Sequence, residues 1–77
     1  MSNDELEKPL DLIHKSLETK ISIILKDGRE VRGKLIGYDT DFNISLSGAE
    51  IYDEESKRRL GKVVIRHNNL YSITPIL

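Results

Sequence analysis

The sequence predicts a mainly β protein in which a short N-terminal helix precedes a strongly bent five-stranded antiparallel sheet, an open β-barrel. Apolar residues change from helical spacing to the alternation of strands near Lys20. Asp27-Gly28 follows the first β-branched run, and this dipeptide is a strong hairpin signal. Gly33 and Gly37 share one face of the next run, which is costly unless the strand bends sharply, as strands do where a barrel closes.

The N-terminal segment predicts a helix over residues 9–18. One apolar stripe follows helical spacing and consists of Leu6, Leu10, Ile13 and Leu17. Pro9 suits the first turn of a helix. A helix this short is not stable alone, so it must pack on the sheet. Residues 1–8 are polar and acidic and predict a flexible end.

Five strands are predicted after the helix, at residues 20–26, 29–38, 42–52, 61–66 and 70–74. Residues 39–41 form a polar turn, and residues 53–59 form a solvated hairpin loop. In the third strand, Phe42 alternates with the apolar residues that face the core. Pro75 is expected to end the last strand because proline has no backbone N–H.

The chain is short and lacks the usual covalent staples of small proteins. Its 77 residues have room for one domain, spanning residues 1–77, with a modest core. There is no cysteine, and His14 and His67 are too few for a zinc cluster, so neither a metal nor a cofactor is predicted. Because the predicted sheet has open edges, head-to-tail pairing of identical copies would give a ring, with a monomeric barrel as the alternative.

Charge and hydropathy restrict the functional classes. Twelve Lys and Arg against thirteen Asp and Glu give a net charge of −1, so nucleic acid can be bound only at a local site. The apolar runs are too short to span a membrane, and residues 1–9 lack a signal-peptide core, which predicts a cytoplasmic protein without membrane contact. We predict no enzymatic activity, because no pair or triad of side chains has a recognisable catalytic context.

Two segments resemble the motifs of the Sm-like (LSm) family. Residues 20–50 resemble the first motif through Asp27-Gly28, Val31-x-Gly33-x-Leu35, Tyr38-Asp39 and Asn43-Ile44-x-Leu46. Residues 60–74 resemble the second through Leu60-Gly61, Val63-Val64-Ile65-Arg66 and Tyr71-x-Ile73. Pro9-Leu10-Asp11-x-Ile13 resembles the N-terminal helix of archaeal Sm-like proteins. Together these segments cover nearly the whole chain.

The resemblance implies a homo-oligomeric ring of six or seven copies, with a heptamer favoured. The fourth strand of one copy would pair with the fifth strand of the next. It also implies binding of single-stranded uridine-rich RNA at the rim of the pore, and a role in RNA processing or metabolism. A ring that acts mainly as a protein scaffold and binds RNA weakly is the alternative. An SH3-type peptide-binding barrel is disfavoured, because three tyrosines and one phenylalanine make a poor aromatic groove.

The resemblance places the RNA site where the turn between strands two and three meets the turn between strands four and five. In the family an asparagine reads the uracil edge, an aromatic residue or histidine stacks on the base, and an arginine packs on its other side. Asn43 and Arg66 match the first and third roles. A carboxamide suits the imide edge, and a guanidinium can stack and still donate hydrogen bonds. The candidate residues are Asp39, Asp41, Asn43, Arg66 and His67.

The sequence departs from the family pattern at two of these positions. Asp41 stands at the stacking position, and His67 replaces the glycine expected after the arginine. Because the carboxylate of Asp41 is an anion without a π face, we predict weakened RNA binding. The ring of His67 would compensate by stacking on the base. The structural alternatives are that Asn43 caps its turn and that Arg66 pairs with a nearby aspartate.

The resemblance implies a second RNA contact on the face of the ring near the helix, formed by Lys8, His14 and Tyr38. In close archaeal relatives a basic residue, a histidine and a tyrosine occupy the matching positions. The alternatives are that His14 is an ordinary exposed helix residue and that Tyr38 packs at the end of the barrel with its hydroxyl in water.

Overall fold

The computed structural model describes residues 9–76, which form one helix and five strands, in agreement with the predicted fold class. Helix α1 and strands β1 to β5 comprise Pro9–Lys15, Lys20–Leu25, Glu30–Tyr38, Ile44–Tyr52, Lys57–Ile65 and Leu70–Pro75. A 3-10 helix, His67–Asn69, lies between β4 and β5. The prediction for residues 1–8 lies outside the described residues. None of residues 9–76 belongs to a helix that could cross a membrane.

All neighbouring strands are antiparallel, in the order β4-β3-β2-β1-β5, so β4 and β5 are the two edges of the sheet. The sheet wraps around a core of aliphatic side chains, and α1 contributes one of them. The buried residues are Ile13, Ile21, Ile23, Leu25, Val31, Leu35, Ile44, Leu46 and Ala49. Burying them stabilises the fold by roughly 1–3 kcal/mol for each large side chain.

The predicted bend lies in β2 and β3. A Cβ atom added at Gly33 would lie 3.1 Å from both the Ala49 Cα atom and the Ser47 carbonyl oxygen. The β2–β3 register shifts at Gly33, between Arg32 and Lys34, and again between Leu35 and Gly37. A side chain at residue 33 would therefore require the facing backbone of β3 to shift by a few tenths of an ångström, so the close approach favours glycine.

The predicted helix over residues 9–18 is three residues too long, since α1 ends at Lys15. The Ser16 N–H bonds to the Ile13 carbonyl at 2.9 Å, which tightens the last turn. Glu18 then adopts a left-handed conformation with φ of 66°. Its N–H donates to the Leu35 carbonyl at 2.8 Å, so hydrogen bonding to the sheet ends the apolar helical pattern early.

The predicted bounds of two strands are wrong. β4 begins at Lys57 rather than Gly61, because a short turn lets the charged segment pair with β3, and the Asp53 N–H bonds to the Ser56 carbonyl at 2.8 Å. β3 begins at Ile44 rather than Phe42, since Phe42 lies in the preceding turn with φ of 63°. Its side chain still packs on the core, as the alternation predicted.

Pro75 does not end the ladder. It lies in β5 opposite Ile21, and the Ile76 N–H donates to the Lys20 carbonyl at 3.0 Å. Because β5 is an edge strand, proline can occupy it without leaving a neighbouring strand short of a donor. The other predicted strand bounds differ from the structure by at most one residue.

Candidate functional site

The turn between β2 and β3 is organised around the side chain of Asp39. Its Oδ1 atom accepts the N–H groups of Asp41 at 2.9 Å and Asn43 at 3.0 Å. The Phe42 N–H bonds to the Asp39 carbonyl at 3.0 Å. An aspartate that accepts N–H groups further along the chain is a common way to fix a turn. The turn therefore has a defined shape that points Asn43 in one direction.

Asn43 joins this turn to the one between β4 and β5. Its Nδ2 atom donates to Asp39 Oδ2 at 2.9 Å, and its Oδ1 atom accepts the backbone N–H of His67 at 3.0 Å. The capping role proposed from the sequence is therefore present. The carboxamide has two N–H groups and two lone pairs, so one donor and one acceptor remain for a ligand.

The hydrogen bonds around Asp39 keep it ionised. The side-chain amide of Asn43, followed by its backbone N–H, lowers the pKa of Asp39 below its ordinary value. Because the folded-state pKa is depressed, this stabilisation is present above the unfolded pKa and is lost as the pH falls through the folded pKa. At neutral pH both oxygens of Asp39 are therefore acceptors.

Arg66 immediately precedes the 3-10 helix, with an extended backbone at φ −73° and ψ 144°. Several other basic side chains are engaged in ion pairs, which are Arg29–Asp27, Arg32–Glu30, Lys34–Glu18 and Lys57–Glu50. Among residues 9–76, no ion pair joins Arg66 to Asp39 or Asp41, so the predicted structural pairing is absent. The exposed guanidinium is therefore available to a ligand.

The 3-10 helix is held against the end of β1. The Lys26 N–H donates to the Asn69 carbonyl at 3.0 Å, and the Asn69 N–H donates to the Arg66 carbonyl at 2.9 Å. The two turns meet through the hydrogen bond that the backbone N–H of His67 donates to the side chain of Asn43. This confirms the predicted meeting of the turns that carry Asn43 and Arg66.

Asp41 and His67 lie together at a mainly apolar groove of about 510 Å³. The groove runs between α1 and β5, and its other lining includes Leu12, Phe42 and Tyr71. Phe42 is half-buried against the core, whereas Asp41, at the predicted stacking position, is exposed. The sequence analysis missed this groove. The available signal was the apolar residues of the edge strand β5, which has a neighbouring strand on one side only.

The structure brings together two of the three residues predicted for the second site. His14 Nδ1 and the Tyr38 hydroxyl share a hydrogen bond of 2.8 Å. Their rings meet edge to face, with centroids 6.1 Å apart and an interplanar angle of 85°. Lys8 lies outside the described residues. The pair joins α1 to the last residue of β2, which directly precedes Asp39 in the chain.

The bent five-stranded sheet, the N-terminal helix and the two joined turns define an Sm-like protein. The LSM domain family matches residues 11–75, and the chain therefore belongs to this family. The Sm-like protein of Thermococcus onnurineus is 54% identical over 71 residues, covering 91% of each chain.

Solved structures of Sm proteins have the same fold. The Sm protein of Pyrococcus abyssi, solved in complex with a uridine heptamer, is 46% identical with a TM-score of 0.86, over 91% of this chain and 100% of that chain. The SmAP1 heptamer of P. aerophilum is 25% identical with a TM-score of 0.86, over 94% of this chain and 97% of that chain.

Proposed function

We propose that this protein forms a homo-oligomeric ring, a heptamer rather than a hexamer, that binds single-stranded uridine-rich RNA at the rim of its pore. It acts in RNA processing or metabolism in the cytoplasm and is not an enzyme. The observation that carries the proposal is the junction of the two turns, where Asn43 is held in place and Arg66, which precedes His67, has no ion-pair partner among residues 9–76. The related P. abyssi structure contains a uridine heptamer, which supports the choice of RNA.

The open edges of the sheet support assembly into a ring. Val64 on β4 is 60% exposed, and Tyr71 on β5 is 77% exposed. Bare edge strands that carry apolar side chains favour pairing with another chain. Pairing β4 of one copy with β5 of the next satisfies both edges, and a head-to-tail contact of this kind gives a ring when the rotation between copies closes. The heptameric assembly of the P. aerophilum relative supports the copy number.

The chemistry of the joined turns suits a single-stranded base. The remaining donor and acceptor of Asn43 complement the N3–H group and a carbonyl of uracil. Arg66 stacks on the base or contacts phosphate, as is common in recognition of single-stranded RNA. Each copy in the ring repeats the site, so modest contacts add through effective concentration. His67 and Asp39 complete the pocket, while the carboxylate of Asp41 opposes phosphate.

His14 and Tyr38 form the proposed second contact, with Lys8 as their basic partner. Two hydrogen-bonding rings next to the helix offer a surface on which a base can stack. This contact lies on the face of the ring outside the pore and would guide RNA that extends beyond it.

Native mass spectrometry with and without RNA tests the proposal directly. We expect a heptamer that retains oligouridine and binds oligoadenine of the same length less well. A stable monomer at micromolar concentration would contradict the assembly. An intact ring that binds neither RNA would favour the alternative of a protein scaffold. The feature of this chain that motivates this alternative is the anionic Asp41 at the pocket.

A further inference from the structure

We propose that Pro75 determines the register in which neighbouring copies pair: the free edge of β5 accepts only the apolar second half of a neighbouring β4, with Gly61 opposite Pro75. The partner is a second copy of this chain. The inference rests on the proposed ring and deepens it. The proposed function names the two strands that pair, whereas the inference concerns which residues of each strand lie opposite one another and what selects them.

Pro75 leaves a gap in the free edge of β5. The Ile76 N–H donates to the Lys20 carbonyl at 3.0 Å, so residue 76 turns its backbone groups towards β1. These directions alternate along a strand, and the register of β5 with β1 is regular from Ser72 to Pro75. Ile73 and Pro75 therefore turn their backbone groups towards the free edge. Ile73 offers an N–H and a carbonyl there, whereas Pro75 offers no N–H.

The other edge strand, β4, is divided by Gly61 into two unlike halves. Gly61 has φ of 79°, and the β3–β4 register shifts between Leu46 and Ala49, which lies opposite Gly61. The first half, residues 57–60, carries three exposed basic side chains. The second half, residues 62–65, carries three aliphatic side chains and one lysine. Only the second half is suited to a contact that excludes water.

An antiparallel pairing that places Val63 opposite Ile73 aligns the two edges in both respects. Val63 and Ile73 are each half-buried against the core of their own copy, so the pairing continues the core from one copy into the next. The same pairing places Gly61 opposite Pro75, so the interruption of one strand meets the missing donor of the other. The charged residues 57–60 then lie beyond the end of β5 and stay in water.

A slip by two residues keeps every side chain on its own face, so the apolar pattern alone does not exclude it. One slip places Val63 opposite Pro75, and the opposite slip places Arg59 there. Both are regular strand residues, and the carbonyl of either would face a proline that cannot donate. A polar group left unpaired in an interface is costly. At Gly61 the regular alternation of backbone groups is already interrupted, so the proposed register loses least.

Engineered disulfides measure the register, because the chain has no cysteine of its own. In the proposed register Val64 lies opposite Ser72, and after the slip that places Val63 opposite Pro75 it lies opposite Thr74. Opposed Cα atoms are about 4.5–5.5 Å apart, which suits a disulfide, whereas diagonal neighbours are about 7–8 Å apart. Since β4 and β5 are opposite edges of one sheet, a crosslink joins two copies.

The first test compares two cysteine pairs in rings that keep Pro75. On a non-reducing gel, we expect Val64→Cys with Ser72→Cys to give covalently linked copies. Val64→Cys with Thr74→Cys should give none.

The second test restores the missing donor. Pro75→Thr gives the free edge an N–H, so the crosslink between residues 64 and 74 should appear. Ile76→Thr changes the same end of the chain and leaves the free edge as it is, so this crosslink should stay absent. Pro75→Ala supplies the same donor and takes the place of Pro75→Thr if that variant does not assemble.

Native mass spectrometry establishes that each variant assembles before crosslinking is compared. A ring with Pro75 that crosslinks through residue 74 rather than 72, or a Pro75→Thr ring that keeps the single register, would overturn the inference and leave the proposed ring in place. Loss of assembly in both Pro75 variants would also overturn it, because the proline would then be needed for the interface itself. A wild-type monomer would overturn the ring as well.

Discussion

The two candidate RNA contacts differ in how firmly the protein holds them. At the joined turns, Asn43 is bound at both ends of its carboxamide, and one of its partners belongs to the backbone. At the helix, His14 and Tyr38 depend on one hydrogen bond between two side chains. A group fixed before the ligand arrives loses less conformational entropy on binding. The joined turns should therefore provide selectivity, and the helix should provide additional, less selective contact.

Comparing the two RNA contacts requires an assembled ring. The largest effect on RNA binding should therefore come from breaking the ring. Val64→Pro places proline near the end of the edge strand β4, where it removes a backbone donor and disturbs the ladder. We expect Val64→Pro to lose the heptamer, which sedimentation velocity measures. We also expect it to lose measurable oligouridine binding. Val64→Ala keeps the N–H group and should still assemble. A Val64→Pro ring of native size would show that β4 does not form the interface.

Within an intact ring, the next largest effect should come from the joined turns. Asn43→Ala and Arg66→Ala should each weaken oligouridine binding by about 1–3 kcal/mol per engaged site. Only Asn43→Ala should also lower the melting temperature, because Asn43 joins two turns whereas Arg66 has no ion-pair partner among the described residues. Calorimetry of both variants measures their melting temperatures. Unchanged affinity in both would move the RNA site away from these turns.

The contrast between Asn43 and Arg66 also shows what the sequence could predict. The order of elements, the bend at Gly33 and the meeting of the two turns followed from periodicity, turn residues and family resemblance. The hydrogen bond from the His67 N–H to Asn43 could not be predicted, because every residue type except proline has the same backbone donor. The early end of α1 at Lys15 was likewise hidden, since a tertiary hydrogen bond to Leu35 overrides a helical pattern that continues to Leu17.

An effect of similar size and opposite sign is expected at the rim of the same turn. Asp41→His replaces an anion with a ring that can stack on a base, worth about 1–3 kcal/mol per base. Binding of oligouridine at neutral pH should become tighter. Asp41→Asn removes the charge without adding a ring, so comparing the two by anisotropy separates stacking from repulsion. If neither variant binds better as an intact ring, Asp41 does not contact the RNA.

The smallest effect is expected at the helix. Tyr38→Phe removes only the hydroxyl that bonds to His14, and a net side-chain hydrogen bond contributes about 0.5–1.5 kcal/mol, less where it is exposed to water. Short oligouridine that fills only the pore should bind to this variant as it does to the wild type. Longer RNA should bind slightly less well, and the difference should grow in an Asn43→Ala background, where the second contact carries more of the affinity. His14→Ala, which removes the other ring of the pair, should reproduce this dependence on RNA length. A loss with short RNA as large as that of Asn43→Ala would mean that the helix surface, and not the joined turns, is the principal site.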